Sequence, residues 1–329
     1  CADCAVEAGW QCDPMGGGCC NMTTCPAATG CNVATCDYDS GSCTLGPAPD
    51  RYEVVGTELL PMIGSRDSIV LIDGAARAGY YQLGNAIFPF GDAPAAVPDL
   101  SAWVAVRSFD ARVSTPGGPA TFFVAGEAEP GTFAIRRFEG GTQVAALSNY
   151  DLDIAQSIGH VARIDIGGDG YLYAIGNTRK LAVFDIAQPN QLAFKQAADY
   201  FFFDPGLAAY DISAGSDSCV VMASLTGLHV SRRCFDWTAG GAVGTTDHWE
   251  VRDVLRVEVD ADNNIHTMTY HAIHRMYSPT LIKLGEIWTD NEATRFDIAV
   301  AGPLLVSAGN DDLLFLASAP LSCGGDGLC

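Results

Sequence analysis

Four carboxylates recur at matching places in repeated segments of this chain: Asp165 in RIDI, Asp211 in YDI, Glu258 in RVEV and Asp297 in RFDI. Carboxylates gathered into a ring offer hard oxygen ligands, the chemistry of a Ca2+ site. In three of the segments an arginine stands two residues upstream, at Arg163, Arg256 and Arg295. A repeated Arg-x-acid pattern is better explained by ion pairs within or between the repeats, since each carboxylate then has a cation of its own. No motif requires a cofactor, and Ca2+ on the four carboxylates is the alternative. Asp260-Ala-Asp262-Asn-Asn264 begins like an acidic calcium loop but lacks its turn glycine and distal bidentate Glu, so it reads as a hairpin turn. His266, His271 and His274 have the number of imidazoles that holds catalytic zinc. On one strand and its turn their rings would diverge, and they read as surface or inter-repeat histidines.

Nucleophilic chemistry leaves no signature. There is no Gly-x-Ser-x-Gly, no Cys near a His outside the disulfide set, and no glycine-rich phosphate cradle between a strand and a helix. No catalytic residue is assigned.

The elements that must position these side chains are short strands. Residues 163–187, RIDIGGDGYLYAIGNTRKLAVFDIA, read as three strands joined by two tight turns. Aligned on the second strand, the chain repeats this unit as SIVLID (68–73), TFFVAG (121–126), YLYAIG (171–176), CVVMAS (219–224), IHTMTY (265–270) and LLVSAG (304–309), in steps that shorten from 53 to 39 residues. Such steps match the blades of a β-propeller. One blade cannot bury both of its faces, but a closed ring of blades can. Cys219 and Cys234 lie symmetrically about the turn at Thr226-Gly227, so an antiparallel hairpin sets them face to face and predicts a disulfide. Blade one (51–100) and blade two (101–150) are the least regular. The Pro-rich stretch 86–100 reads as a loop on a propeller face rather than strand. YFFFDPG (200–206) reads as a buried outer strand, with an exposed aromatic patch as the sharper alternative.

The segment YLYAIGNTRKLAVFDIAQPNQLAF resembles the repeats of bacterial cell-surface propellers built on a Leu-Val-Ile-Val-Asp run followed by a Pro-Asn turn. Leu181 to Ile186 and Gln188-Pro189-Asn190 carry the match, which implies a propeller fold and a surface location. Further upstream, GCNVATCDYDSGSCT resembles short cysteine-rich modules that precede larger domains in secreted bacterial surface proteins, and implies a spacer or adhesive module.

Thirteen cysteines point to an oxidising compartment. Nine fall in the first 43 residues, where hydrophobic periodicity is nearly absent and cross-links must hold the fold. That segment has no His and no paired CxxC knuckles, which argues against structural zinc. Residues 1–46 are therefore a disulfide-rich module, with a Pro-containing linker to residue 50. The propeller is expected over 51–320. A tail, 321–329, closes through Cys323 and Cys329 or pairs with the N-terminal module. An odd count leaves one thiol over. Cys1 is the candidate, as an acylated lipoprotein cysteine or as a link to another chain; beginning on Cys rather than Met, the chain reads as a mature, processed form. Asn21-Met-Thr fits a glycosylation sequon.

The net charge of −21 comes from 18 basic against 39 acidic residues. No basic patch exists to release phosphate counterions, which excludes nucleic-acid binding. No apolar run approaches the ~18–20 residues of a membrane helix. The sequence thus describes an all-β protein, a six-bladed β-propeller preceded by a small disulfide-rich module. Its expected role is that of a secreted or cell-surface structural and interaction protein with protein partners, self-assembly included, as a repeating subunit of an extracellular assembly. The alternatives are a lipid-anchored accessory subunit of an envelope complex, and a metal-dependent hydrolase by analogy with lactonase propellers.

Overall fold

The structure, a computed structural model, describes residues 10–12, 19–21, 32–37, 42–47, 51–59, 68–114, 118–148, 158–199, 209–224, 229–236, 241–250, 254–269, 273–279, 283–288, 295–309 and 312–319. Cys1, Cys323, Cys329, His271 and the stretch 200–206 lie outside them, as does the side chain of Asn21. The chain divides into two compact units, one of Tyr52–Ser318 and one of Cys1–Arg51 with Ala319–Cys329. In the smaller unit β1 (Trp10–Cys12) pairs with β2 (Cys19–Asn21), and β3 (Asn32–Asp37) with β4 (Ser42–Pro47).

The larger unit holds every other strand. β5 (Arg51–Leu59) comes first in the chain but belongs to the last blade. The first blade is β6 (Ile69–Asp73), β7 (Ala78–Leu83) and β8 (Ala86–Phe90), with three strands. The second is β9 (Ala105–Val113), β10 (Ala120–Glu129), β11 (Thr132–Glu139) and β12 (Thr142–Ser148). The third is β13 (Val161–Ile166), β14 (Tyr171–Gly176), β15 (Lys180–Asp185) and β16 (Ala193–Asp199). The fourth is β17 (Ala209–Ala214), β18 (Cys219–Ser224), β19 (His229–Asp236) and β20 (Gly241–Glu250). The fifth is β21 (Val254–Val259), β22 (Ile265–Thr269), β23 (Ile273–Tyr277) and β24 (Lys283–Trp288). The sixth is β25 (Arg295–Ala301), β26 (Leu304–Gly309), β27 (Asp312–Ala319) and, as its fourth strand, β5. Each blade is an antiparallel meander. The first strands β6, β9, β13, β17, β21 and β25 touch in that order and β25 returns to β6, so the ring is closed.

Three expectations need correction. SIVLID is not a second strand: residues 69–73 form β6, the innermost strand of blade one. Its true second strand, AGYYQL, carries Gly79 and Gln82 and so lacks the apolar run that marks the others. Blade one also does not begin at residue 51, because residues 51–59 close blade six. Within 86–100, residues Ala86–Phe90 are strand rather than loop. Gln82 N–H donates to the carbonyl of Ser68, just before β6, so the polar backbone of its β8 partner Ile87 faces away from β7. Pro89, two residues on, faces the same way, and a proline is tolerated there because no ladder bond needs its missing N–H.

Alternation explains the nearly continuous apolar second strands. Leu172 and Ala174 pack with Phe123 and Ile135 of blade two, whereas Tyr173 and Ile175 pack with Ile212, Val220 and Met222 of blade four. Both faces are buried, so YLYAIG and CVVMAS read as unbroken runs. Cys219 and Cys234 stand opposite each other in register and are joined by a disulfide.

Candidate functional site: the central channel

The six first strands place their side chains around one axis, and a repeated β-bulge sets which ones reach it. Against the second strand, register slips between Val161 and Arg163, Ala209 and Asp211, Val254 and Arg256, and Arg295 and Asp297. Blade two slips at the same step, between Val106 and Ser108. Bulges bend a strand and re-aim the side chains that follow. At this step the second strand of blade three ends in glycine; a Cβ on Gly176 would lie 2.1 Å from the carbonyl oxygen of Ile158.

Counting from the bulge sorts the channel into two layers. The first holds Ser108, Arg163, Asp211, Arg256 and Asp297, with Ser68 completing the ring from blade one. Two residues further on, the second holds Val70, Asp110, Asp165, Ser213, Glu258 and Ala299. The four carboxylates expected to be equivalent therefore fall in different layers: Asp211 and Asp297 in the first, Asp165 and Glu258 in the second.

The first layer alternates in charge. Arg256 Nε donates to Asp297 Oδ1 at 2.7 Å, and Arg163 Nε lies 3.7 Å from Asp211 Oδ1. These pairs run between blades, while Arg295 pairs within its own blade with Asp312 at 2.6 Å. Tyr210, the extra residue of its bulge, lies beneath both channel arginines, with Arg256 Cζ 5.0 Å and Arg163 Cζ 6.0 Å from its ring centroid. Arg163 also reaches across the channel to Ser68 Oγ at 2.9 Å. Arg256 is only 1% exposed. Burial opposes its charge, but Asp297 and Asp211 prevail and hold its pKa above the ordinary value.

Each layer also bolts one blade to the next. Asp211 accepts the N–H of Val257 at 3.0 Å, and Asp297 accepts that of Ile69 at 2.9 Å. Ser108 Oγ takes the N–H of Ile164 at 3.3 Å. In the second layer Asp110 accepts Ile166 N–H at 2.6 Å, Asp165 accepts Ala214 N–H at 2.7 Å, and Ser213 Oγ accepts Val259 N–H at 3.0 Å. Among the described residues, no three His, Cys, Asp or Glu side chains come together as metal ligands. The four carboxylates expected as a ring thus fall into two layers; Asp165, Asp211 and Asp297 each accept a backbone N–H of the neighbouring blade, and Glu258 faces the Ser213 hydroxyl.

The channel encloses a cavity of about 540 Å3 lined by residues of both layers, with Arg112 and the turn at Gly167-Gly168 also on its wall. Burial raises the carboxyls here. Asp110 is pushed up to about 6. Asp165 and Glu258 rise well above the usual carboxylate range through burial and then through neighbouring carboxylates, Asp110 for the first and Asp165 for the second.

Asp260-Ala-Asp-Asn-Asn264 is a hairpin turn whose Asp260 Oδ1 accepts the N–H groups of Asp262 and Asn264. Asp260 Oδ2 lies 3.1 Å from His266 Nε2, and Tyr52 Oη lies 2.5 Å from His266 Nδ1. His266 thus joins β22 to the closing strand β5. His274 is fully buried, and burial pushes it down to about 3. The two do not share a ligand site with any third described residue.

Sequence reasoning missed Asp110, Ser213, Ser68 and Ser108. For Asp110 a signal existed, since Ser108-Phe-Asp110 copies the Arg163-Ile-Asp165 pattern with serine in place of arginine.

No protein-family model matches the chain, and no curated protein matches its sequence. Solved structures do. Raptor from Chaetomium thermophilum superposes with a TM-score of 0.51 at 9% identity over 82% of this chain, which spans 30% of that protein's length. Sqt1 from Saccharomyces cerevisiae gives 0.50 at 12% identity, over 94% of this chain and 83% of the other. At such identities the likeness shows the propeller fold alone.

Proposed function

We propose that this protein is an extracellular or cell-surface interaction scaffold that serves as a rigid repeating subunit of an assembly. The observation that carries the reading is the set of bolts in the channel. Asp110, Asp165, Asp211 and Asp297 each accept a backbone N–H from the following blade, so the polar groups at the axis work to keep six blades in fixed relation. A ring held in this way presents its loops and outer strands in constant geometry, which suits a partner surface. The cysteine content supports an oxidising compartment, and the odd number of thiols supports a covalent link between chains.

Non-reducing electrophoresis and light scattering of the purified full chain test this reading. Species larger than one chain that collapse under reductant are the expected result. A single monomeric species by both methods overturns the assembly. Mass spectrometry of the N-terminal peptide separates a disulfide at Cys1 from an acyl group there.

A further inference from the structure

The second layer contains a proton-counting problem. Ser213 Oγ lies 3.1 Å from Glu258 Oε2 and 3.5 Å from Asp165 Oδ2, and it accepts the N–H of Val259 at 3.0 Å. A hydroxyl carries one hydrogen and two lone pairs. If both carboxyls were ionised, Ser213 could donate to one only, and the other would press a bare anion against its oxygen. Both contacts are satisfied when one carboxyl brings its own proton. Asp165 Oδ2 already accepts the N–H of Ala214 at 2.7 Å, which favours its ionised form. Glu258 has no such donor among the described residues. The chain of hydrogen bonds then runs from a protonated Glu258 to Ser213 Oγ, and from the Ser213 hydroxyl to Asp165.

We infer that Glu258, Ser213 and Asp165 form a proton-binding site that holds one proton at neutral pH and, on releasing it, loosens the joints between blades three, four and five. Loss of the proton leaves two anions competing for one hydroxyl. Ser213 then turns to one of them, and the Val259 N–H and Ala214 N–H bolts weaken with the repulsion.

The charges that act most strongly on the Glu258 carboxyl are all negative, those of Asp165, Asp211, Asp110 and Asp297. On β21 itself Arg256 is engaged by Asp297, and Asp260 adds negative charge. From β17 comes Asp211, and from β13 come Asp165 and Arg163, the latter beside Asp211. From β25 come Asp297 and Arg295, whose guanidinium is held by Asp312. β9 contributes Asp110 and Arg112, while His266 on β22 is bonded to Tyr52 and Asp260. Strand β18, which also packs on β21, offers only a disulfide-bonded cysteine as a titratable type. Burial and the Asp165 charge both raise the Glu258 carboxyl, in agreement with the hydrogen count.

The sign follows. A carboxyl raised in the folded state binds its proton more tightly there than in the unfolded chain, so stability is full at acid pH and falls as pH climbs through the folded value. Each proton released lowers the folding equilibrium constant about tenfold per pH unit within that window. Denaturant unfolding of the full chain between pH 4 and pH 9 measures the number of linked protons for wild type and for Glu258→Gln, whose amide can donate to Ser213 without titrating. The expected result is a linked number lower by about one in the variant, with stability above neutral pH raised. An unchanged number overturns the proposal. Should the variant fail to fold, infrared spectroscopy of wild type with 13C-glutamate decides: an isotope-shifted carboxylic-acid carbonyl band at pH 7 supports the site, and its absence overturns it.

Discussion

At the scale of single residues, the channel floor shows how a propeller axis accommodates full charges. Arg256 and Asp297 are desolvated together, with side chains 1% and 10% exposed and an N–O distance of 2.7 Å. Replacing one partner strands the other, so Arg256→Met is expected to cost about 3–5 kcal/mol in urea unfolding. The double replacement Arg256→Met with Asp297→Leu is expected to recover most of that loss, because apolar groups of similar volume need no compensation. A double variant as unstable as the single one would show that Asp297 matters mainly as the acceptor of Ile69 N–H. The arginines and acids of these pairs were legible in the sequence, and so was their tendency to form ion pairs. Their partners were not. These blades bulge at the same step, so register sets Arg163 level with Asp211 and Asp165 level with Ser213; matching Asp to Asp makes RIDI and YDI look equivalent although Asp165 lies a layer above Asp211.

At the scale of elements, the second strands were legible wherever burial on both faces demands an unbroken apolar run, as in CVVMAS and YLYAIG. Blade one escaped because its second strand spends two positions on Gly79 and Gln82, and because its innermost strand supplies the apolar run instead. Strand β8 escaped because proline reads as loop. Its place in the structure carries a consequence: the outward edge of β8 offers the N–H of Ile87 but none at Pro89. Proline on a free edge blunts pairing with another chain. Pro89→Thr restores a donor there and is expected to give concentration-dependent self-association by light scattering, where wild type under reducing conditions gives none through this edge. The hairpin of β18 and β19 makes a second element-scale case. Its disulfide closes 15 residues. Changing both cysteines to alanine is expected to lower stability by about 3 kcal/mol in denaturant titration, the chain-entropy value for a loop of that length. An unchanged midpoint would mean that the hairpin is already as restricted in the unfolded chain.

At the scale of the whole molecule, charge and closure dominate. A net charge of −21 on this chain sets up self-repulsion that salt screens, the Debye length falling from about 10 Å at 0.1 M to about 3 Å at 1 M. The floor ion pairs are buried and screened much less. Thermal midpoints are therefore expected to rise with sodium chloride, and a fall would mean that exposed ion pairs outweigh the net repulsion. Closure was the least legible feature of all. Nothing in RYEVVGTEL states that it completes a blade whose other three strands lie beyond residue 294, since a pairing partner so distant leaves no local pattern.

That closing strand also imposes an order in time. β5 emerges from the ribosome before any other strand of the ring, and β27 emerges last. At roughly 5–20 residues per second, the synthesis between Leu59 and Asp312 lasts on the order of 10–50 s. Tyr52 has no His266 to meet until residue 266 is made, and blade six is not complete until the end of that interval. The ring is sealed by its oldest strand joining its youngest, so every nascent chain passes through a stage with five blades made and a free strand waiting.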